Sequence, residues 1–125
     1  MKNYNNNNNI IIINIMKIFK YNLNDKEITL RLGENAKENH QLIDVADPND
    51  WWFHLKDYPS GHCILELEEL DNEIIIYASQ IVKEHSKYKN NKKTEVNYLQ
   101  IKNIKKTKNP GEVKLLKNAN VIVLK

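Results

Sequence analysis

The stretch from Asp50 to Leu65 gathers Asp50, both tryptophans, His54, Ser60, His62 and the single cysteine, Cys63. These residue types could do three kinds of chemistry. A carboxylate near an imidazole can move protons. A hydroxyl or thiol beside an imidazole can become a nucleophile. An aromatic surface edged with imidazoles can stack a base and hydrogen-bond its edge or its phosphate. Spacing narrows the choice. If Tyr58 centres the turn Asp57-Tyr-Pro-Ser-Gly61, residues whose numbers sum to 116 face each other on two strands. His54 then opposes His62 and Trp52 opposes Ile64, and directly opposed residues share a face. Trp52, His54 and His62 would form one surface, and a slip of one residue would scramble it. A second reading makes Trp52 and Phe53 core and the imidazoles buried hydrogen-bonding groups. Spacing alone leaves both open.

The competing chemistries are weaker. Cys63 lies in an apolar run and reads as core. Ser60-Gly61 is ordinary turn chemistry. Asp50, His54, His62 and Cys63 are acceptable zinc ligands by type, but Cys63 follows His62 directly and would point to the opposite face of a strand. The chain has no paired-cysteine motif and no His-x-x-x-His. No metal and no cofactor is expected. Gly33, Gly61 and Gly111 are isolated, which excludes a phosphate-binding P-loop.

The elements that must position these residues follow from periodicity. Met16–Tyr21 and Ile28–Leu32 read as strands joined at Asn24-Asp25, with Ile28, Leu30 and Leu32 alternating with Thr29 and Arg31. Asn35–Val45 reads as a short helix stopped by Asp47-Pro48-Asn49-Asp50. Trp52–Leu55 and His62–Leu67 form the central strand pair. The clearest helix begins at Leu70-Asp71-Asn72. Its stripe is Ile74, Tyr77, Ala78, Ile81, Val82, His85 and Tyr88, with Asp71 or Asn72 as cap. Lys83, Lys87 and Lys89 cluster where the helix dipole favours cations. Strands are expected around Val96–Gln100, Glu112–Leu116 and Val121–Leu124. Strands, then a helix, then strands indicate an α+β fold. An antiparallel or mixed sheet would pack on one main amphipathic helix and a shorter one.

At 125 residues the chain has room for one modest core. Residues 1–15, with their Asn and Ile runs, read as a low-complexity disordered tail, and residues 16–125 as a single domain. Met16 is a second candidate start. The Ile run is broken by Asn14 and Lys17 and is too short for a membrane span. One cysteine permits no internal disulfide, which fits a reducing compartment, cytoplasmic or nuclear. Charge is uneven. Residues 1–73 carry 7 basic and 13 acidic side chains, net −6, and residues 74–125 carry 12 and 3, net +9. Lys102, Lys105, Lys106 and Lys108, near Tyr98, suit an RNA surface. They equally suit a solvated loop enriched in lysine by AT-rich codons.

Several ordered blocks together resemble the NFACT-R domain, an RNA-binding module of ribosome-associated quality-control factors that also occurs in small stand-alone proteins. Gly33-Glu-Asn-Ala-Lys-Glu-Asn39 followed by Leu42 is similar to that family's Gly-x-Asn-Ala-x-x-Asn-x-x-Leu block. Asp50-Trp-Trp-Phe-His54 is similar to its Asp-x-Trp-Phe-His signature. Ser60-Gly-His62 with its apolar strand, Ala78–Ser86, Val96-Asn-Tyr98 and Pro110-Gly-Glu-Val113 follow in the family order. The likeness spans roughly residues 28–124. The catalytic-like half, the helix-hairpin-helix part and the coiled coil of the longer factors have no counterpart in these blocks.

The resemblance implies an RNA-binding module without catalysis of its own. Its RNA would be tRNA or rRNA, beside a ribosome or another translation complex. Stand-alone forms are also linked to DNA, which keeps that polyanion open. The implied binding residues are Asp50, Trp52, His54, Ser60 and His62, then Asn35 and Asn39, with Lys102, Lys105, Lys106 and Lys108 on phosphates. Two alternatives stay open. One is an RNA-acting enzyme using Asp50, His54 and His62. The other is a protein-interaction module docking through the Ile-rich helix or the tryptophans.

Overall fold

The computed structural model describes residues 17–125. The tail and the Met16 start lie outside the described residues. The chain opens with a hairpin of β1 (Lys17–Leu23) and β2 (Lys26–Leu32). Asn24 and Asp25 hold φ of 52° and 65°. Two successive left-handed residues make the tight turn whose twist matches paired strands, and Asn and Asp tolerate that region best after glycine. Next come α1 (Ala36–Val45), β3 (Trp51–Leu55), β4 (Cys63–Leu65) and α2 (Asn72–Glu84). The chain ends with β5 (Thr94–Gln100), a 3-10 turn at Ile101–Asn103, β6 (Ile104–Lys106), β7 (Val113–Leu115) and β8 (Asn120–Leu124).

Six strands form one antiparallel sheet in the order β1-β2-β4-β3-β5-β8, and β6 pairs with β7 as a separate ribbon. The α+β expectation is met. The central register is the one that Tyr58 predicts: Trp51 pairs with Leu65, Trp52 with Ile64 and Phe53 with Cys63.

Both faces of the sheet are covered at its centre, which explains why β3 is apolar on both sides. On the first face Leu30, Phe53, Leu55, Leu65 and Val96 pack against Ile74, Ala78 and Val82 of α2. On the second face Trp52, Ile64 and Leu99 pack against Leu42 and Ile43 of α1 and Ile104 of β6. Asp71 caps α2 by accepting the Ile74 amide at 3.1 Å. Asn35 caps α1 by accepting the Glu38 amide at 2.9 Å, and Glu38 reaches back to the Glu34 amide at 2.9 Å. This reciprocal pairing is a variant of the capping box.

Two expectations are corrected. The α2 stripe does not run through His85 and Tyr88. His85 is already the C-cap, and the Ser86 amide and hydroxyl both donate to the Lys83 carbonyl, at 3.1 and 2.8 Å. These local bonds satisfy a last-turn carbonyl and release the chain. The lysine-rich segment after β5 is not wholly a loop, because Ile104–Lys106 forms β6. Ile104 anchors it in the second core, and β7 supplies its ladder.

Candidate nucleic-acid interface

Three glycine positions bring β2, β4, α1 and the β6–β7 hairpin unusually close. A Cβ on Gly61 would stand 2.4 Å from the Gly33 carbonyl oxygen, and one on Gly33 would stand 2.1 Å from Asn39 Oδ1. Gly111 holds φ of 79° at the hairpin tip, against Ala36 of α1. His40 Nε2 donates to the Glu112 carbonyl at 2.9 Å, and Lys106 pairs with Asp44 at 2.5 Å. Both contacts hold the hairpin on α1. The result is an open cleft of about 440 Å³. The start of α1, the β3–β4 turn, the segment after α2 and the hairpin tip wall it.

Asn35, Asn39, His54, Ser60 and His62 all line this cleft. Each has a local job. Asn39 is buried, and its Oδ1 accepts the His62 amide at 3.1 Å. The Gly33 amide donates to the His62 carbonyl at 3.0 Å, so His62 is held on both sides of its backbone. Ser60 Oγ accepts the Leu55 amide at 3.1 Å and donates to the Gly61 carbonyl at 3.0 Å. It braces the turn and is not paired with an imidazole there.

The aromatic cluster is assembled as its spacing predicts. Trp52 stacks on His54 at 5.5 Å between ring centroids, and His62 meets both rings edge-on, at 5.6 and 5.1 Å. The expected accessibility is corrected, however. Trp52 and His62 are each only 2% exposed, so no base can lie on the Trp52 ring. Trp52 Nε1 donates to His62 Nδ1 at 3.1 Å, which only a neutral imidazole can accept. Burial is the main reason the His62 pKa falls to about 3, with the neighbouring His54 and His40 adding to the depression and the Gly111 carbonyl opposing it. The His54 pKa is lowered, also chiefly by burial. His54 is partly exposed, and its Nδ1 lies 2.6 Å from the Leu55 carbonyl. A carbonyl oxygen only accepts, so Nδ1 carries the proton and Nε2 is left as an acceptor.

Asp50 lies apart from the cleft lining. Its carboxylate accepts the Asp47 amide at 3.1 Å, and its carbonyl accepts the Ile101 amide at 2.9 Å. Partial burial pushes the Asp50 carboxyl up to about 6, against the Asp47 amide that favours ionisation. In this structure it closes the loop before β3. Lys102, Lys105, Lys106 and Lys108 are also outside the cleft. Lys102, Lys105 and Lys108 are exposed, Lys102 bonding Asn49 Oδ1 at 3.3 Å, while half-buried Lys106 is held by Asp44. Lys105 sits opposite Lys114 across the ribbon. Cys63 is fully buried, which pushes its thiol up to about 12 and leaves it inert at neutral pH.

Sequence reasoning missed the far wall of the cleft. Ser86, Lys87 and Tyr88 line it, and Tyr88 stacks on Tyr58 with centroids 4.3 Å apart. Tyr58 is 43% exposed. The signal was present as a serine followed by basic residues after the main helix, but Tyr88 read as part of the helical stripe.

Comparison with known proteins places this architecture. In a solved structure, the C-terminal part of the fibronectin/fibrinogen-binding protein from Streptococcus suis, the same fold recurs with a TM-score of 0.76 at 22% identity. That match covers 86% of this chain and 45% of the other. The Rqc2 homolog RqcH of Bacillus subtilis is 34% identical over 80 residues, 63% of this chain and 14% of that protein. Coiled-coil domain-containing protein 25 of Bos taurus is 31% identical over 70 residues, 51% of this chain and 34% of that protein. The chain thus spans a minor part of these curated relatives. Residues 17–121, which include every strand and helix that walls the cleft, match the NFACT protein RNA binding domain, and the chain belongs to that family.

Proposed function

We propose that the cleft is the RNA-binding site of this domain. The observation that carries the reading is the convergence of different recognition chemistries on one concave surface. His54 offers a neutral ring acceptor, Lys87 a cation, and the Tyr58–Tyr88 pair an aromatic rim, with Ser86 holding Tyr88 through its amide at 3.1 Å. A neutral acceptor suits a ribose 2′-hydroxyl or a base N–H, and the 2′-hydroxyl is what distinguishes RNA from DNA. Stacking moves from the buried Trp52 to Tyr58 and Tyr88. Trp52, His62, Asn39 and Ser60 act by holding His54 and the turn in place. Lys105 and Lys108, exposed on the nearby hairpin and its approach, add long-range attraction for phosphates.

The family supports an RNA ligand, and the match to RqcH supports work beside the ribosome, with tRNA or rRNA as the RNA. The depressed histidines favour binding over proton transfer near neutral pH, since His62 keeps one ring nitrogen on Trp52. Titrating tRNA and a duplex DNA of matched charge at two salt concentrations tests the reading. Lys87→Gln should lower the log–log salt slope for RNA by about 0.7–0.9. Failure to bind RNA at low salt would overturn the proposal, and equal preference for DNA would remove the 2′-hydroxyl role of His54.

A further inference from the structure

The second face of the sheet is only half covered. The α1 helix and the hairpin roof Trp52, Ile64 and Leu99. One step along the strands, the next row on the same face runs from His54 to Asn97 and on to Val121, which are paired across β3, β5 and β8. His54 lies in the cleft. Asn97 and Val121 lie in a second groove, also of about 440 Å³, between the sheet and the base of the hairpin. The same hairpin therefore walls both hollows, with Pro110-Gly111 at the cleft and Leu115-Leu116 at the groove. From β3 to β8 is two strand spacings, about 10 Å.

We propose that a single-stranded RNA entering the cleft continues across this row into the groove, which receives a following nucleotide. The proposal rests on the cleft being an RNA site. The groove has the chemistry a nucleotide needs. Val121 is 42% exposed and Leu116 54% exposed, which gives apolar surface for a base. The half-buried Asn97 amide both donates and accepts, as a base edge requires. Lys117 is exposed and makes no ion pair among the described residues, which leaves it for a phosphate. Lys56 also borders the groove, but its Nζ lies 3.8 Å from Glu95 Oε2. That carboxylate directs the phosphate to the Lys117 side. Continuity with the cleft through the His54–Asn97 pair and the cation at the far end favour a polyanionic strand as the occupant.

Fluorescence titrations of the full chain with a short single-stranded RNA of about three nucleotides and a longer one of about eight test this. Asn97→Ala should weaken the longer strand about fivefold, the loss of one or two hydrogen bonds, and leave the short strand unchanged. Lys117→Gln should lower the salt slope of the longer strand by about 0.7. Wild-type affinity of both variants for the longer strand would overturn the track while leaving the cleft reading intact. Equal losses for both lengths would also overturn it, because Asn97 would then act through the cleft. If neither length binds the wild-type protein, the cleft reading falls and the track falls with it.

Discussion

Lowering the pH should destabilise this domain through His62. The imidazole is 2% exposed, and its Nδ1 accepts the Trp52 indole N–H. Protonation removes that acceptor and buries a charge. The sign follows from the direction of the shift. The folded-state pKa, about 3, lies below the unfolded value of 6.5. Between these limits the unfolded chain binds a proton that the folded chain refuses, so stability is fully present above 6.5 and is lost as pH falls toward 3. Each pH unit below 6.5 costs about 1.36 kcal/mol, so pH 5 costs about 2 kcal/mol from His62 alone. His54, lowered in the same direction, adds to the loss. Asp50 works oppositely. Its folded pKa of about 6 exceeds 3.8, so its contribution is present below 3.8 and is lost as pH rises through 6. It is partly exposed, and water screens it to a smaller amplitude. Urea melts of the wild type and of His62→Gln at pH 7, 6 and 5 separate these effects, because Asp50 contributes equally to both proteins. The variant should lose about 2 kcal/mol less than the wild type over that range. Identical pH dependence in the two proteins, or a His62 ring that titrates near 6.5 by NMR in the folded state, would refute the argument.

Other outcomes follow from the same geometry. Gly61→Ala places a Cβ 2.4 Å from the Gly33 carbonyl oxygen, so it should destabilise by about 1–3 kcal/mol in a thermal melt. Asn39→Ala leaves the buried His62 amide without its acceptor and should cost about 1–3 kcal/mol in urea, with a shallower pH dependence as the loosened ring gains water and its folded pKa rises toward 6.5. Tyr88→Ala removes half of the Tyr58–Tyr88 rim, and RNA affinity should fall by about 1–3 kcal/mol per stacked base in a binding titration. Lys105→Glu turns a like-charged cross-strand pair with Lys114 into an attractive one, raising stability by about 0.2–1 kcal/mol while weakening RNA binding at low salt.

Local chemistry alone determined much of this protein. The β1–β2 alternation, the Asn24-Asp25 turn, the cap at Asp71 and the Tyr58-centred register are set by residues within a few positions of each other, and short-range sterics and hydrogen bonds are legible in a one-dimensional string. The register also brings Trp52, His54 and His62 together, because the side-chain period of a strand admits no other pairing once the turn is placed. Burial is a different quantity. It depends on what lands on the second face of the sheet, and α1 and the β6–β7 ribbon reach that face from distant parts of the chain. Only their docking, set by Gly33, Gly61, Gly111, His40 and Lys106, roofs Trp52 and leaves His54 partly open. The end of α2, packed on the first face, carries Ser86–Tyr88 to the far wall of the cleft, and the hairpin docking leaves Lys106 bonded to Asp44. Residue types in this chain named the chemistry available, while tertiary packing decided which of those groups a ligand can reach.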